Sequence, residues 1–176
     1  MKNFLRTVLV LTLLAVLFRG PLYRLLVTYE VSSYRTVSVD ADPRLQEVSD
    51  SLLRESEDLE DFAYHTQRFV GNRLSFRATN SGGSATALLE GGAANCVGYA
   101  RLTADLLKRN IDAFPGQTVA HGVARLSLPG FDLHRLFSNP FYRDHDVVEI
   151  TDGSGTVLLI DPSLRDYTGI EWVRVR

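Results

Sequence analysis

Gly91-Gly92-Ala93-Ala94-Asn95-Cys96-Val97-Gly98-Tyr99-Ala100 holds the only cysteine of the chain and the junction on which its architecture turns. The two glycines break whatever precedes them, and Asn95 belongs to the residue types that cap helix N-termini. From Cys96 to Arg109 the apolar residues Val97, Ala100, Ala104 and Leu107, flanked by Tyr99, Leu102 and Leu106, recur at helical spacing over a wide face. This pattern predicts a core helix that begins at Cys96. A thiol there lies beside unpaired backbone N–H groups and the positive end of the helix dipole, which favour thiolate over thiol and make Cys96 a candidate nucleophile. The competing reading is an inert cysteine that merely fills core space.

Downstream, Asp144-His145-Asp146-Val147-Val148-Glu149-Ile150 and Thr156-Val157-Leu158-Leu159-Ile160-Asp161 flank the polar, glycine-containing Thr151-Asp152-Gly153-Ser154-Gly155, a hairpin signature. A turn centred on Gly153 places His145 directly opposite Asp161, on the same face, with Cβ atoms roughly 4.5–5.5 Å apart. A two-residue turn would send Asp161 to the other face, so register decides whether the pair exists. A carboxylate behind an imidazole fixes its tautomer and supports its positive charge, and an imidazole beside a thiol shares its proton. Cys96, His145 and Asp161 are therefore the candidate catalytic set. The plainer alternatives are a strand-edge His145 and an Asp161 that, before Pro162, simply ends a strand.

Working outward, Thr28 to Val39 alternates polar and apolar residues and reads as a strand-like connector. Asp40-Ala41-Asp42-Pro43 ends it and opens a helix, with proline in the first turn. Leu45, Val48, Leu52 and Leu53 give that helix an apolar stripe, and Leu59, Phe62, Ala63, Phe69 and Val70 predict a second helix. Asn72 to Ala93 reads as loop-rich, Thr118 to Leu128 as a strand, and Leu133 to Tyr142 as an unassigned insertion. Helices first, then an antiparallel sheet against a buried helix, make the expected fold α+β.

At 176 residues, with 45% hydrophobic and 23% charged, the chain can fill one ordinary core. A net charge of −2 with no basic cluster beyond the extreme N-terminus speaks against nucleic acid as a partner. A single cysteine leaves no internal disulfide. The start, Met1-Lys2-Asn3-Phe4-Leu5-Arg6, is positive and leads into the uncharged run Thr7 to Phe18; Arg19 interrupts, and Pro21 to Tyr29 resumes an apolar character. No small-residue cleavage site follows, so an uncleaved signal anchor is the preferred reading over a cleaved signal or an ordinary buried helix. The expected organisation is an anchor over 1–29, a connector over 30–42 and one domain over 43–176, single-pass, with the domain preferred outside the cytoplasm.

Three of these stretches together resemble the transglutaminase-like superfamily, within the wider papain-like cysteine enzymes. Asn95-Cys96-Val97-Gly98-Tyr99-Ala100 leading through Leu106-Leu107-Lys108-Arg109-Asn110-Ile111-Asp112-Ala113 is similar to the cysteine-bearing helix, His145-Asp146-Val147-Val148-Glu149-Ile150 to the histidine strand, and Leu159-Ile160-Asp161-Pro162-Ser163 to the aspartate strand. The order Cys, His, Asp also matches. The resemblance covers roughly Gly91 to Ser163. It implies Cys96 as nucleophile, His145 as general base and acid, and Asp161 as the orienting residue, acting through a thioester on an amide or related acyl group of a protein or peptide, without cofactor or metal. Hydrolysis stands ahead of crosslinking. Two features depart from the pattern: Val147 stands where many members carry an aromatic residue, and no tryptophan precedes the cysteine. Tyr64, Gln67, Asn72 and Asn80 are the candidate oxyanion donors.

The departures motivate a second reading, a catalytically inactive binding or scaffold module on the same fold; a third is a membrane-tethered structural domain of other ancestry. His121, in the apolar strand, reads as a core or cleft-edge residue, and His134 and His65 lie in undefined contexts. A metal site from His121, His145 and Asp144 or Asp146 has no supporting ligand spacing.

Overall fold

The computed structural model describes residues 2–78, 83–136, 138, 142–155, 157–170 and 172–173. In chain order these form α1 (Lys2–Leu17), α2 (Arg19–Leu26), β1 (Thr28–Arg35), α3 (Pro43–Arg54), α4 (Leu59–Arg73), β2 (Leu74–Phe76), α5 (Ala85–Leu89), β3 (Gly92–Ala94), α6 (Cys96–Arg109), β4 (Thr118–Leu128), β5 (Phe131–Asp132), β6 (His145–Thr151), β7 (Val157–Ile160) and α7 (Pro162–Thr168). The fold is mixed α+β around a mostly antiparallel sheet. Helices α3 to α7 each start at a side-chain cap, from Asp42, Asp58, Ser84, Asn95 and Asp161, which satisfies backbone N–H groups the first helical turn leaves unpaired. Pro43 and Pro162 sit just inside, where no N–H is needed.

The main sheet runs β1-β4-β6-β7, with β5 as a short extra pair on β4. One face carries Val119, Val148, Ile150 and Ile160 into the larger core, shared with Leu102, Leu106 and Leu107 of α6 and Phe62 and Val70 of α4. The other carries Ala124, Val147 and Leu159 into a smaller cluster with Tyr29. Helix α6 packs on β4 and β6 and is touched by α3, α4, α5 and α7, so it is the central helix.

Three elements differ from the sequence reading. Residues 28–35, expected as a strand-like connector, are an edge strand of the main sheet, paired with β4. The loop-rich 72–93 stretch contains α5 and a two-stranded parallel sheet of β2 and β3, elements of three to five residues that are too short for periodicity to reveal. Asp161-Pro162, for which a simple strand exit is the plainer alternative, does follow the end of β7 and is also the N-cap and first residue of α7, a helix the sequence reading does not include.

Strand β1 carries a bulge. Val31 pairs with Ala124, but Ser33 pairs with Val123, so one extra residue enters and everything after it turns over. Tyr29 and Arg35 would share a face in a regular strand. The bulge instead leaves Tyr29 on the smaller cluster's face and sends Arg35, opposite His121, to the face that packs on α6.

Among the described residues no single helix is long and apolar enough to cross a membrane. Together α1 and α2 reach that length and composition, but they meet at a bend of 77°. Phe4, Leu5, Leu9 and Leu17 are exposed along α1. At the bend, Arg19 Nε donates to the carbonyl of Thr168 at 2.5 Å and ties α2 to the end of α7.

Candidate functional site

Cys96 is the first residue of α6, and its position follows from the cap before it: the Asn95 side chain accepts from the N–H of Gly98 at 3.2 Å. Beyond it, Gly91 and Gly92 adopt positive φ angles of 89° and 108°, backbone that favours glycine and lets the chain turn into β3 and the helix. The thiol is buried, with 7% of the residue exposed.

His145 and Asp161 meet. The imidazole Nε2 lies 2.7 Å from Asp161 Oδ2, with 22% of the His145 side chain exposed and 2% of Asp161. The register that produces this differs from the one expected: Val148 pairs with Ile160 and Thr151 with Val157, so the loop is 152–156 and its centre lies one residue beyond Gly153. The shift is by two positions in the pairing. Because side chains alternate with period two, His145 and Asp161 remain on the same face, as diagonal rather than direct neighbours.

Asp161 divides its work between its oxygens. Oδ1 accepts from the Leu164 N–H and the Ser163 hydroxyl, both at 2.9 Å, and so caps α7; Oδ2 takes His145 and, at 2.9 Å, the hydroxyl of Tyr29. The structural and the imidazole-orienting readings of this residue are therefore both occupied. Burial alone would raise its pKa, but the His145 charge and hydrogen bond, with the Leu164 N–H and Ser163 hydroxyl, hold the carboxyl below the usual carboxylate range. For His145, burial pulls the pKa down; the charge and hydrogen bond of Asp161, joined by a hydrogen bond and charge from Cys96, outweigh it and lift the ring well above its ordinary value. With Nε2 committed to Asp161, Nδ1 is the ring nitrogen which that carboxylate leaves open.

A second His–Asp pair lies on the other side of the thiol. Asp146 Oδ2 is 4.0 Å from Cys96 Sγ. Its Oδ1 lies 2.7 Å from His121 Nε2 and 2.5 Å from Arg35 Nε, and Arg35 Nη2 reaches Oδ2 at 3.3 Å. Burial again works to raise this carboxyl's pKa, and the hydrogen bonds and charges of His121 and Arg35 bring it below the ordinary value. Adjacent residues of a strand point to opposite faces, so His145 and Asp146 leave β6 on its two sides.

The other sequence candidates are placed elsewhere. Gln67 is buried behind Asp161, its Nε2 donating to the Asp161 carbonyl at 3.2 Å. Tyr64 packs against His65 and Trp172, with centroids 5.3 and 6.2 Å away. Asn72 is exposed on the last turn of α4, and Asn80 lies outside the described residues. His134 holds its turn to the sheet, accepting from the Leu126 N–H at 2.9 Å with its other nitrogen 2.6 Å from the Tyr142 carbonyl. His65 sits 3.5 Å from Asp61 one turn away on α4. Among the described residues no group of three or more His, Cys, Asp and Glu side chains could hold a metal ion.

Sequence reading passed over Arg35, Tyr29 and the pairing of Asp146 with His121. Two signals pointed to them: the alternation of Thr28 to Val39, which marks a strand able to pair, and two histidines and two aspartates on strands that a single sheet would contain. Beside His145 an apolar groove of about 340 Å³ is lined by Leu126, Leu133, Leu136 and Tyr142. Comparison with protein-family models, with curated proteins and with solved structures finds no match.

Proposed function

We propose that this protein is a cysteine enzyme of the transglutaminase-like kind, held at a membrane by its N-terminal helices, that cleaves or transfers an acyl group through a thioester at Cys96. The observation that carries the reading is the His145 ring, hydrogen-bonded at 2.7 Å to a buried carboxylate on one nitrogen, on the strand whose next residue, Asp146, stands 4.0 Å from the sulfur of the chain's only cysteine. A raised imidazole pKa supports it, because a protonated ring is the counter-ion a thiolate needs.

In the reaction, the sulfur donates an electron pair to the acyl carbon of an amide, and the carbonyl π electrons move onto oxygen. When they return, the C–N bond breaks, His145 delivers its proton to the departing nitrogen, and the acyl group remains on sulfur as a thioester. Water or an amine then attacks, losing its proton to His145, and thiolate is regenerated. Asp161 keeps the ring oriented throughout; its second duty as the cap of α7 anchors it to a rigid element. The groove of Leu126, Leu133, Leu136 and Tyr142 beside the ring suits an apolar part of a peptide or protein substrate. The exposed apolar surface of α1, together with α2, supports the membrane part of the proposal.

Alkylation by iodoacetamide tests the centre without knowledge of the substrate. Cys96 is expected to label in the folded protein at neutral pH, and His145→Ala is expected to slow labelling on the order of 10²-fold. Labelling only after unfolding, or at the same rate in the variant, would leave the inactive binding module as the better reading. Carbonate extraction checks the anchor, since release of the full-length chain into the soluble fraction would contradict it.

A further inference from the structure

Arg35, His121 and Asp146 form a charged cluster that the reaction above leaves unused. Strands β1, β4 and β6 assemble it, and the bulge in β1 exists at the point needed to turn Arg35 toward it. Removing charges from water is costly, and such clusters stabilise a fold no better than apolar packing does. One placed against the only cysteine therefore calls for a chemical reason.

The donors of Arg35 supply it. A guanidinium has five N–H donors, and the contacts of Nε and Nη2 with Asp146 occupy two of them. The rest have no partner among the described residues. Asp146 is 1% exposed while the Arg35 side chain is 42% exposed, so the free donors lie on the side away from the carboxylate, toward solvent. Asp146 Oδ2 stands 3.3 Å from Nη2 and 4.0 Å from Cys96 Sγ, so the guanidinium and the sulfur are neighbours of the same carboxylate oxygen.

The geometry points to Arg35 as the residue that stabilises the negative oxygen formed when the Cys96 sulfur adds to an acyl carbonyl, an inference that rests on the proposed cysteine chemistry. The C–S bond forms, the π pair moves onto oxygen, and the unused guanidinium N–H groups take up that charge until the pair returns and the leaving group departs. The backbone N–H groups at the start of α6 have no intrahelical acceptor and add to the same field. Asp146, braced by His121, is the positioning residue that holds the guanidinium in place. Tyr64, Gln67 and Asn72 stand elsewhere: Gln67 is buried behind Asp161 and donates to its carbonyl, Tyr64 packs at Trp172, and Asn72 is on the outer turn of α4.

Two probes of the same sulfur separate this role from a general effect on the thiol. Acylation by p-nitrophenyl acetate passes through an oxyanion and expels a phenolate that needs no proton, whereas alkylation by iodoacetamide is a direct displacement with no oxyanion. In the purified full chain, with Cys96→Ser as background, Arg35→Gln is expected to lower the ratio of acylation rate to alkylation rate by ~10²–10³-fold. Arg35→Lys keeps the charge without the planar fork and is expected to lower it by about 10-fold, and it carries the test if the glutamine variant does not fold. An unchanged ratio in a folded variant overturns the role of Arg35. A wild-type Cys96 that reacts with neither probe rejects the cysteine chemistry itself, a separate outcome.

Discussion

The two His–Asp pairs beside Cys96 have the same ring-to-carboxylate distance, 2.7 Å, and opposite surroundings. His145 keeps 22% of its side chain exposed, borders an apolar groove, and shares its aspartate with a tyrosine and a helix cap. His121 is 3% exposed, and its aspartate is shared with a guanidinium. Equal distances thus do not mean equal roles. A ring that must pass a proton to a substrate needs access, and only His145 has it; a sealed ring can only hold its neighbour still. The difference arises from the sheet, because His145 and Asp146 leave adjacent positions of β6 on its opposite faces.

The sharpest way to break this comparison is to remove each ring in turn. His145→Ala is expected to lower alkylation of Cys96 on the order of 10²-fold with a modest change in melting temperature. His121→Ala is expected to do the reverse, lowering the melting temperature while changing the rate far less. Equal effects on labelling would erase the distinction between the two rings.

Asp146→Ala addresses the sealed pair directly. It strands His121 and Arg35 beside a cavity, and because Arg35 is partly in solvent the loss is expected near the lower end for a broken buried ion pair, about 3 kcal/mol in denaturant unfolding. A loss below about 1 kcal/mol, the range of an exposed pair, would mean that the cluster is not sealed in solution.

The accessible pair predicts a pH signature. His145 has its pKa raised above 6.5, so its contribution to stability is complete below that value and fades as pH rises through the raised one. Asp161 has its pKa lowered, so its contribution is present above 3.8 and is lost as pH falls through the lowered value. The stability gap between wild type and His145→Gln is therefore expected to be widest between these two ordinary values and to narrow in alkaline solution. Thermal unfolding at about pH 5.5 and about pH 9 measures it, and a gap that widens with pH would show that the ring is not held as a cation.

The smallest effect concerns the contact of Asp161 with Tyr29. Tyr29→Phe removes a hydroxyl that donates to Asp161 and meets the Tyr23 hydroxyl at 2.5 Å, and is expected to cost about 2 kcal/mol while leaving the His145 contact in place. A loss of Cys96 labelling comparable to that in His145→Ala would instead make Tyr29 part of the proton path.

Much of this was legible in the chain. Asn95 followed by the apolar spacing of Val97, Ala100, Ala104 and Leu107 marked the start and the buried face of α6, because capping and helical periodicity are local properties. The hairpin was legible in kind, though its register was off by two; its consequence survived because an even shift preserves the face. The short elements between Asn72 and Ala93 and the helix after Asp161 were not read, since a few residues carry too little periodicity, and Asp-Pro marks a strand exit as readily as a helix entry.

By itself the sequence determined where the helix bearing Cys96 begins and that the strands leading from His145 and to Asp161 form a hairpin, since both follow from neighbours within a few turns or strands. The tertiary structure alone decided that Arg35 meets Asp146, 111 residues away, and that Tyr29 and Arg35 leave one strand on opposite faces. One bulged residue reverses every side chain after it, and its effect can be read only from the strand it pairs with. Which carboxylate faces the sulfur was settled in the same way, by packing of distant segments rather than by any pattern along the chain.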